Sequence, residues 1–282
     1  MDSENYANNS APQGTLHNLA TDLLEKAATA AAKVAHENGD DVLRISVVGC
    51  GPGDNDILAI KNIILPSIRA YKKDINIMIL FNDLPGNGWN NLHTRACEAF
   101  EPDGSPNKNI KWQLYGSDLN EAFAQPSSVH LTVSFSALHW IDHLPFDQSG
   151  VLNGAICYVD LPRTQKELLR RHKDARLKDF ILKRKRELVP GGQMVLVFDG
   201  ETAKDEHQYY QPTRLLQLSI QSMVAKKLLS EEVLSKFFVM TASWSASRIQ
   251  QCCQQTGMNV HHLSMRVGPC PMYDTFLLSK ES

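Results

Sequence analysis

Arg44-Ile45-Ser46-Val47-Val48-Gly49-Cys50-Gly51-Pro52-Gly53-Asp54-Asn55-Asp56 is the stretch whose reading decides the fold. An apolar, β-branched run breaks into three alternate glycines and then opens a helical pattern through Ile57, Leu58, Ile60, Ile64 and Leu65. That is a strand, a tight turn and a helix N-terminus, an arrangement whose backbone N–H groups face a nucleotide-like ligand. A second apolar run, Ile75 to Phe81, ends in Asn82-Asp83. An acid at the tip of the second strand of a βαβ unit is where a ribose diol is held. The glycine turn alone also fits a bare structural link between strand and helix.

The turn discriminates between nucleotides. A dinucleotide site carries Gly-x-Gly-x-x-Gly, with a small third residue for close helix–strand packing. Counted from Gly49, the third position is Asp54, and Asp56 follows. Carboxylates there repel a pyrophosphate, more strongly as water is excluded. S-adenosylmethionine (SAM) has no phosphate and carries a sulfonium and an ammonium, so acids beside it are tolerable or helpful. The turn therefore favours SAM over NAD.

Composition narrows the class further. The chain has 282 residues, 43% hydrophobic and 21% charged, which is ordinary globular material. A formal net charge of -2 argues against a nucleic-acid partner gripped by a broad basic surface. No apolar run is long enough to span a bilayer, and the polar start Asp2-Ser3-Glu4-Asn5 has no signal-peptide pattern. Six cysteines without a CxxC spacing predict neither a disulfide framework nor a zinc site. The expectation is a cytoplasmic protein with no membrane partner.

Outward from the turn, residues 1–14 read as a polar arm and residues 15–38 as an N-terminal helix. Strands are expected at about 43–49, 75–81, 110–115, 129–135 and 193–198, and two more at about 259–266 and 273–279. Helices fall at about 55–72, 91–100, 163–187 and 245–256, with helical cap segments at about 145–190 and 205–245. Val189-Pro190-Gly191-Gly192 reads as the stop after 163–187, whose eleven Lys and Arg residues read as a solvated face. Alternating β and α elements predict an α/β fold: a Rossmann-like, mostly parallel, seven-stranded sheet with helices on both faces, in one domain over 1–282.

Ligands in such sheets bind at the carboxyl ends of the strands. Arriving there are Gly49, Gly51, Asn55, Asp83, Leu84, Ser117 and Asp118, then Ser134-Phe135-Ser136-Ala137-Leu138-His139-Trp140. A His-Trp pair after a buried strand offers ring N–H donors and a large apolar face, suited to orienting a carboxylate or an aromatic acid. Taken alone, the pair also fits a core tryptophan beside a surface histidine.

The chain also resembles a known family. Tyr6-Ala7-Asn8-Asn9-Ser10-x-x-Gln13, Gly49-Cys50-x-x-Gly53-x-Asn55, Phe81-Asn82-Asp83-Leu84-Pro85-Gly86-Asn87, Leu138-His139-Trp140 and Glu187-Leu188-Val189-Pro190-Gly191-Gly192-x-Met194-Val195-Leu196 occur in this order in the SABATH methyltransferases. These are the salicylate, benzoate, jasmonate, indole-acetate and theobromine enzymes, and the likeness spans roughly residues 4–257. It implies a class I methyltransferase fold with Tyr6, Ser10, Gly49, Asn55, Asp83, Leu84 and Ser117 at the cofactor. The neighbouring strand tips add Gly51, Asp118, Ser134 and Phe135 to that side. Gln13 and Trp140 are implied to tether the acceptor carboxylate, with His139 and Ser136 beside them and the N-terminal arm folded over the site.

A carboxylate has a pKa of about 4 and is already ionised at neutral pH, so its methylation needs positioning rather than a base. The expected reaction joins the methyl of SAM to the carboxylate of a small aromatic or hydrophobic acid, leaving a methyl ester and S-adenosylhomocysteine. Some positions depart from the family. Val47 replaces an acid near the cofactor's ammonium, for which Asp54 or Asp56 could substitute, and Asp118 replaces a phenylalanine. Ser235, Phe237 and Phe238 stand where some members carry magnesium ligands, so no metal is expected. The chain beyond Gly257 is short for the family. Two other readings stay open: methylation of a small amine or purine nitrogen, with His139 accepting a proton, and a methyltransferase fold without transfer activity. A homodimer is implied by analogy with relatives.

Overall fold

The computed structural model describes residues 18–101, 103–105, 107–146, 156–200, 210–241 and 243–265. These fall into two compact units, one running to Ala137 and including Leu182–Val197, the other comprising Leu138–Ile181 and Phe198–Met265.

The first unit is built on a five-stranded sheet. Helix α1 (Thr21–Glu37) leads into β1 (Val42–Val48). A Schellman arrangement ends α1: Gly39 takes φ +72°, Asp40 N–H reaches Ala35 O and Gly39 N–H reaches His36 O. After the glycine turn come α2 (Asp54–Ala59), a π-helical turn (Ile60–Ile64) and α3 (Leu65–Tyr71). Together they make the single helix expected at 55–72. The π turn sits just ahead of Pro66, which lacks an N–H and crowds the carbonyl one turn back.

Strand β2 (Asn76–Asp83), helix α4 (Trp89–Phe100), β3 (Ile110–Gly116) and β4 (Val129–Phe135) follow. Then α5 (Arg163–Glu187) runs directly into β5 (Leu188–Val197). The strand order is β3-β2-β1-β4-β5 and every neighbouring pair is parallel. The order reverses between β1 and β4, which marks the switch point where ligands bind in open α/β sheets.

β5 is longer than the expected 193–198. Val129 pairs with Leu188 and Leu131 with Gln193, so the Pro190-Gly191-Gly192 segment bulges out of a continuous strand instead of separating helix from strand. Gly191 takes φ +81° there and packs against Val34 of α1. Among the described residues the sheet has five of the expected seven strands, and residues 258–265, over most of the expected sixth, run in irregular conformation. The expected strand at 273–279 lies outside the described residues.

The core lies between the sheet and the alanine-rich face of α1, where Leu24, Ala28, Ala31, Ala32 and Ala35 are buried against α3 and β5. Small side chains let the helix approach closely. Every residue of β4 is buried, and its polar side chains are satisfied inside. Ser46 and Thr132 hydroxyls meet at 3.2 Å, and Ser134 Oγ donates to Val48 O at 2.8 Å. His130 Nδ1 accepts from Arg44 N–H at 3.1 Å while its Nε2 meets Asp40 Oδ2 at 3.0 Å, a partnership that lowers the Asp40 pKa.

The basic helix is not uniformly solvated. In the first unit, buried Arg184 pairs with buried Glu187 (Nε to Oε2 2.9 Å) and donates to Leu119 O and Glu121 O. Glu187 also accepts from Phe123 N–H and Ala124 N–H at 2.9 and 3.2 Å. These bonds fix the loop that follows β3.

The second unit has its own apolar cluster: Ile141, Leu144, Tyr158, Leu161, Leu169 and Phe238. Buried Lys173 donates to Ser243 O, with the Tyr158 and Trp244 rings 5.2 and 5.4 Å from its ammonium. A 3-10 turn (Tyr158–Asp160) and helices α6 (Tyr210–Ala225), α7 (Glu231–Lys236) and α8 (Ala246–Gln255) complete it, with Gly257 at φ +65° just beyond α8. Among the described residues no helix is long and apolar enough to cross a membrane.

Candidate active site

The glycine turn between β1 and α2 is held by the end of β2. Gly49 N–H and Cys50 N–H both donate to Asn82 O, at 2.8 and 3.2 Å. Gly49, Gly51 and Gly53 all take positive φ (75°, 52° and 91°), the region that glycine alone enters without strain. At Gly49 the requirement is also steric, since an added Cβ would overlap the Ala137 methyl. Asn87, in the loop after β2, donates from Nδ2 to Gly51 O at 2.6 Å. The Asn87 of the Asn-Asp-Leu-Pro-Gly-Asn stretch therefore braces the turn that precedes it by some thirty-five residues.

Asp83 closes the arrangement. Its Oδ2 accepts Gly51 N–H at 2.6 Å and its Oδ1 accepts Leu84 N–H at 2.7 Å. Both oxygens are thereby oriented, and each keeps a second lone pair for a ligand hydroxyl. Burial pushes the Asp83 carboxyl up, against the lowering effect of those two N–H groups. Asp56 is held far above the usual carboxylate range, first by burial and then by the nearby Asp83 and Asp54. Its Oδ1 is buried without a hydrogen-bond partner among the described residues. Cys50 lies in the same field, its thiol pushed well up by burial and by Asp83 and Asp56.

Asp54 differs from these two. Arg95 of α4 reaches it, Nε to Oδ1 2.5 Å, and also donates to Pro52 O. Arg95 offsets part of its charge, while burial still leaves the carboxyl above its ordinary value, so the electrostatic case against a pyrophosphate rests more on Asp56 and Asp83 than on Asp54. The cradle fits a cationic nucleoside: a buried carboxyl oxygen with no partner among the described residues suits an ammonium donor, and Asp83 suits a diol.

The remaining expected residues divide into three groups. Ser117 is wired to the same strand tips, since Asn82 Nδ2 donates to Ser117 O and Oγ at 3.1 and 2.9 Å and Ser117 N–H donates to Asp83 O. Asp118 is engaged locally by Asn120 N–H at 2.8 Å. Asn55 occupies the first turn of α2, and Leu84 is exposed at the tip of β2. Ser134 and Phe135 end β4 as buried residues, and the Ser134 hydroxyl is spent on β1. Ser136 follows at φ +53°, a strained conformation for a residue with a side chain, and its buried hydroxyl has no partner among the described residues. These all belong to the first unit. Tyr6, Ser10 and Gln13 lie outside the described residues.

His139 and Trp140 belong to the second unit. Trp140 is 47% exposed and bridges to Thr241, while Ile141 N–H donates to Met240 O at 2.9 Å. The His139 ring lies 5.3 Å from the Trp140 ring, tilted by 39°. His139 is buried and its Nδ1 stands 3.2 Å from Asp199 Oδ2, also buried. Reading the sequence missed Asp199. The signal was present, because Asp199 ends the apolar run Met194–Phe198 as Asp83 ends Ile75–Phe81. Phe237 and Phe238 offer no metal ligand.

Comparison with known proteins follows the same lines. A family model described as SAM dependent carboxyl methyltransferase matches residues 1–267. Jasmonate O-methyltransferase of Arabidopsis thaliana is 25% identical, over 89% of this chain and 71% of its own. Anthranilate O-methyltransferase 3 of Zea mays is 26% identical, over 78% of this chain and 64% of its own. The chain thus spans about two-thirds of the length of these curated relatives. A solved structure of loganic acid methyltransferase with SAH superposes with a TM-score of 0.75 at 20% identity, covering 89% of this chain and 73% of that one, a likeness of fold. A glycine cradle with an acid on the neighbouring strand tip, in a 3-2-1-4-5 sheet and under a match over nearly the whole sequence, places this chain in the SAM-dependent carboxyl methyltransferase family.

Proposed function

We propose that this chain methylates the carboxylate of a small aromatic or other hydrophobic acid, using SAM and giving a methyl ester and S-adenosylhomocysteine. The observation that carries this is the Asp83 carboxylate, oriented by Gly51 and Leu84 N–H groups near the Asp56 oxygen that has no partner among the described residues. The acids named for the relatives, jasmonate and anthranilate, point to the acceptor class.

When bound, SAM supplies a methyl on a positively charged sulfur. Asp83 accepts from the ribose hydroxyls, and the glycines let the backbone approach. Gln13 and Trp140 act as neutral donors that orient the acceptor oxygen without cancelling its charge, as an arginine would. One oxygen–carbon bond forms and one carbon–sulfur bond breaks, and the two charges annihilate with no proton to move. Positioning of this kind is worth roughly 7–11 kcal/mol of barrier. The free cysteines among the described residues are in keeping with a reducing, cytoplasmic setting. A homodimer rests on the resemblance alone.

A second reading has one observation in its favour. His139 backed by Asp199 at 3.2 Å resembles a base with its orienting carboxylate, which methylation of an N–H acceptor would use. Incubation with methyl-labelled SAM and a panel of aromatic and terpenoid acids, amines and purines separates the two. Carboxyl transfer gives base-labile label in the acid fractions. Alkali-stable label on an amine or purine would replace the first reading with the second.

A further inference from the structure

Two residues beyond Trp140, in the second unit, the chain places Asp142 and His143 against His172 of α5. Asp142 Oδ1 lies 3.0 Å from His143 Nδ1 and 3.8 Å from His172 Nε2, and one ligand atom from each of the three residues lies within 4.8 Å of the other two. The two imidazole rings meet edge to face at 4.7 Å. Arg176, one turn along α5 from His172, holds the other carboxyl oxygen of Asp142 through Nη1 at 2.6 Å.

An ordinary surface network explains part of this. Arg176 and His143 satisfy Asp142, and nothing further is needed for them. It does not explain His172, whose Nε2 is buried yet has no hydrogen-bond partner among the described residues. At 3.8 Å from Asp142 Oδ1 it is too far for a hydrogen bond, yet the three residues bring one ligand atom each within 4.8 Å of one another.

We propose that Asp142, His143 and His172 form a binding site for a divalent transition metal ion of the zinc type. Two imidazole nitrogens and one carboxylate oxygen are a donor set that zinc, cobalt and nickel accept, with solvent completing the coordination. Metal–ligand bonds of about 2.0–2.2 Å put tetrahedral ligands about 3.3 Å apart. The observed triangle closes to that size through small rotations, chiefly of His143, whose side chain is 63% exposed. Arg176 would act on the carboxylate from outside, fixing the free oxygen toward the ion. The spacing gave no warning: Asp142-His143 and His172 are separated by a long insert and meet only through tertiary structure. The ion would tie the segment carrying His139 and Trp140 to α5, so its expected role is to stiffen the acceptor side of the site.

The test uses the full, untagged chain after chelator treatment. Titration with Co(II) should produce the visible bands of a low-coordinate nitrogen–oxygen site at one equivalent, and zinc should displace them. Calorimetry with Zn(II) should give one saturable site of micromolar affinity or better. His143→Ala and His172→Ala should each weaken zinc at least about tenfold. His261→Ala with His262→Ala, in the chain beyond α8, should leave the affinity within about twofold. His143 is exposed enough that its loss cannot unfold the unit, which keeps the test decisive if His172→Ala misfolds. The absence of saturable one-to-one binding, or affinity unchanged in His143→Ala, overturns the proposal.

Discussion

Asp83 is the residue on which cofactor binding turns. Among the described residues its two oxygens are aimed by backbone N–H groups and not by a cation, so its acceptor capacity is preserved. Asp83→Ala should weaken SAM by about 1.5–3 kcal/mol, roughly ten- to a hundredfold, measured by calorimetry. Trp140→Ala should do the reverse, cutting turnover while cofactor affinity stays nearly constant, because Trp140 lies outside the glycine turn's unit. Asp56 gives a pH signature. Burial and the neighbouring carboxylates raise its pKa, so in the empty protein it holds its proton above the usual carboxylate range. A cation beside it favours the ionised form and expels that proton. SAM affinity should therefore rise with pH across this raised range, and calorimetry in buffers of different ionisation enthalpy should detect proton release. Asp56→Asn should abolish the release.

At the scale of elements, the glycine turn works because Ala137 stands directly against Gly49. Gly49→Ala should abolish SAM binding, and adding Ala137→Gly should recover part of it by removing the overlap, while the positive-φ strain remains. The loop after β3 depends on a buried ion pair. Glu187→Ala would leave Arg184 buried without its carboxylate and should cost about 3–5 kcal/mol in urea unfolding. That pair also shows where the sequence stopped being legible. β1, β2 and β4 were readable because each is an apolar run with a turn signal at its end. The basic run was read as a solvated face, since the partners that bury Arg184 and Lys173 (the loop at 119–124, Ser243, Trp244) come from distant chain. Pro190-Gly191-Gly192 looked like a stop, yet pairing of Leu188 with Val129 drew it into β5 as a bulge. The segment at 259–266 alternates like a strand, but a strand needs a ladder partner, and through residue 265 none of the described residues pairs with it. Asp199 ends the apolar run Met194–Phe198, but its meeting with His139, sixty residues earlier, is set only by tertiary structure.

For the whole molecule, the acidic cluster couples stability to pH and to ligand. Asp54, Asp56 and Asp83 all have raised pKa values, with burial the largest cause in each. Such groups bind more protons folded than unfolded, so their contribution to stability is present below the usual carboxylate pKa and is lost as pH rises through the raised values. Ligand-free protein should thus lose stability over that upward window, and Asp56→Asn should flatten the loss in denaturant titrations. A cationic ligand should offset it, and more so at the higher pH. The central claim is that the turn at Gly49–Gly53 and Asp83 together hold a sulfonium nucleoside. Calorimetric titration of the full chain with SAM, S-adenosylhomocysteine and NAD tests it most directly. One site of micromolar affinity is expected for the first two, with no heat from NAD and SAM weakened roughly ten- to a hundredfold in Asp83→Ala. Binding of NAD, or of SAM with undiminished affinity in Asp83→Ala, would contradict it.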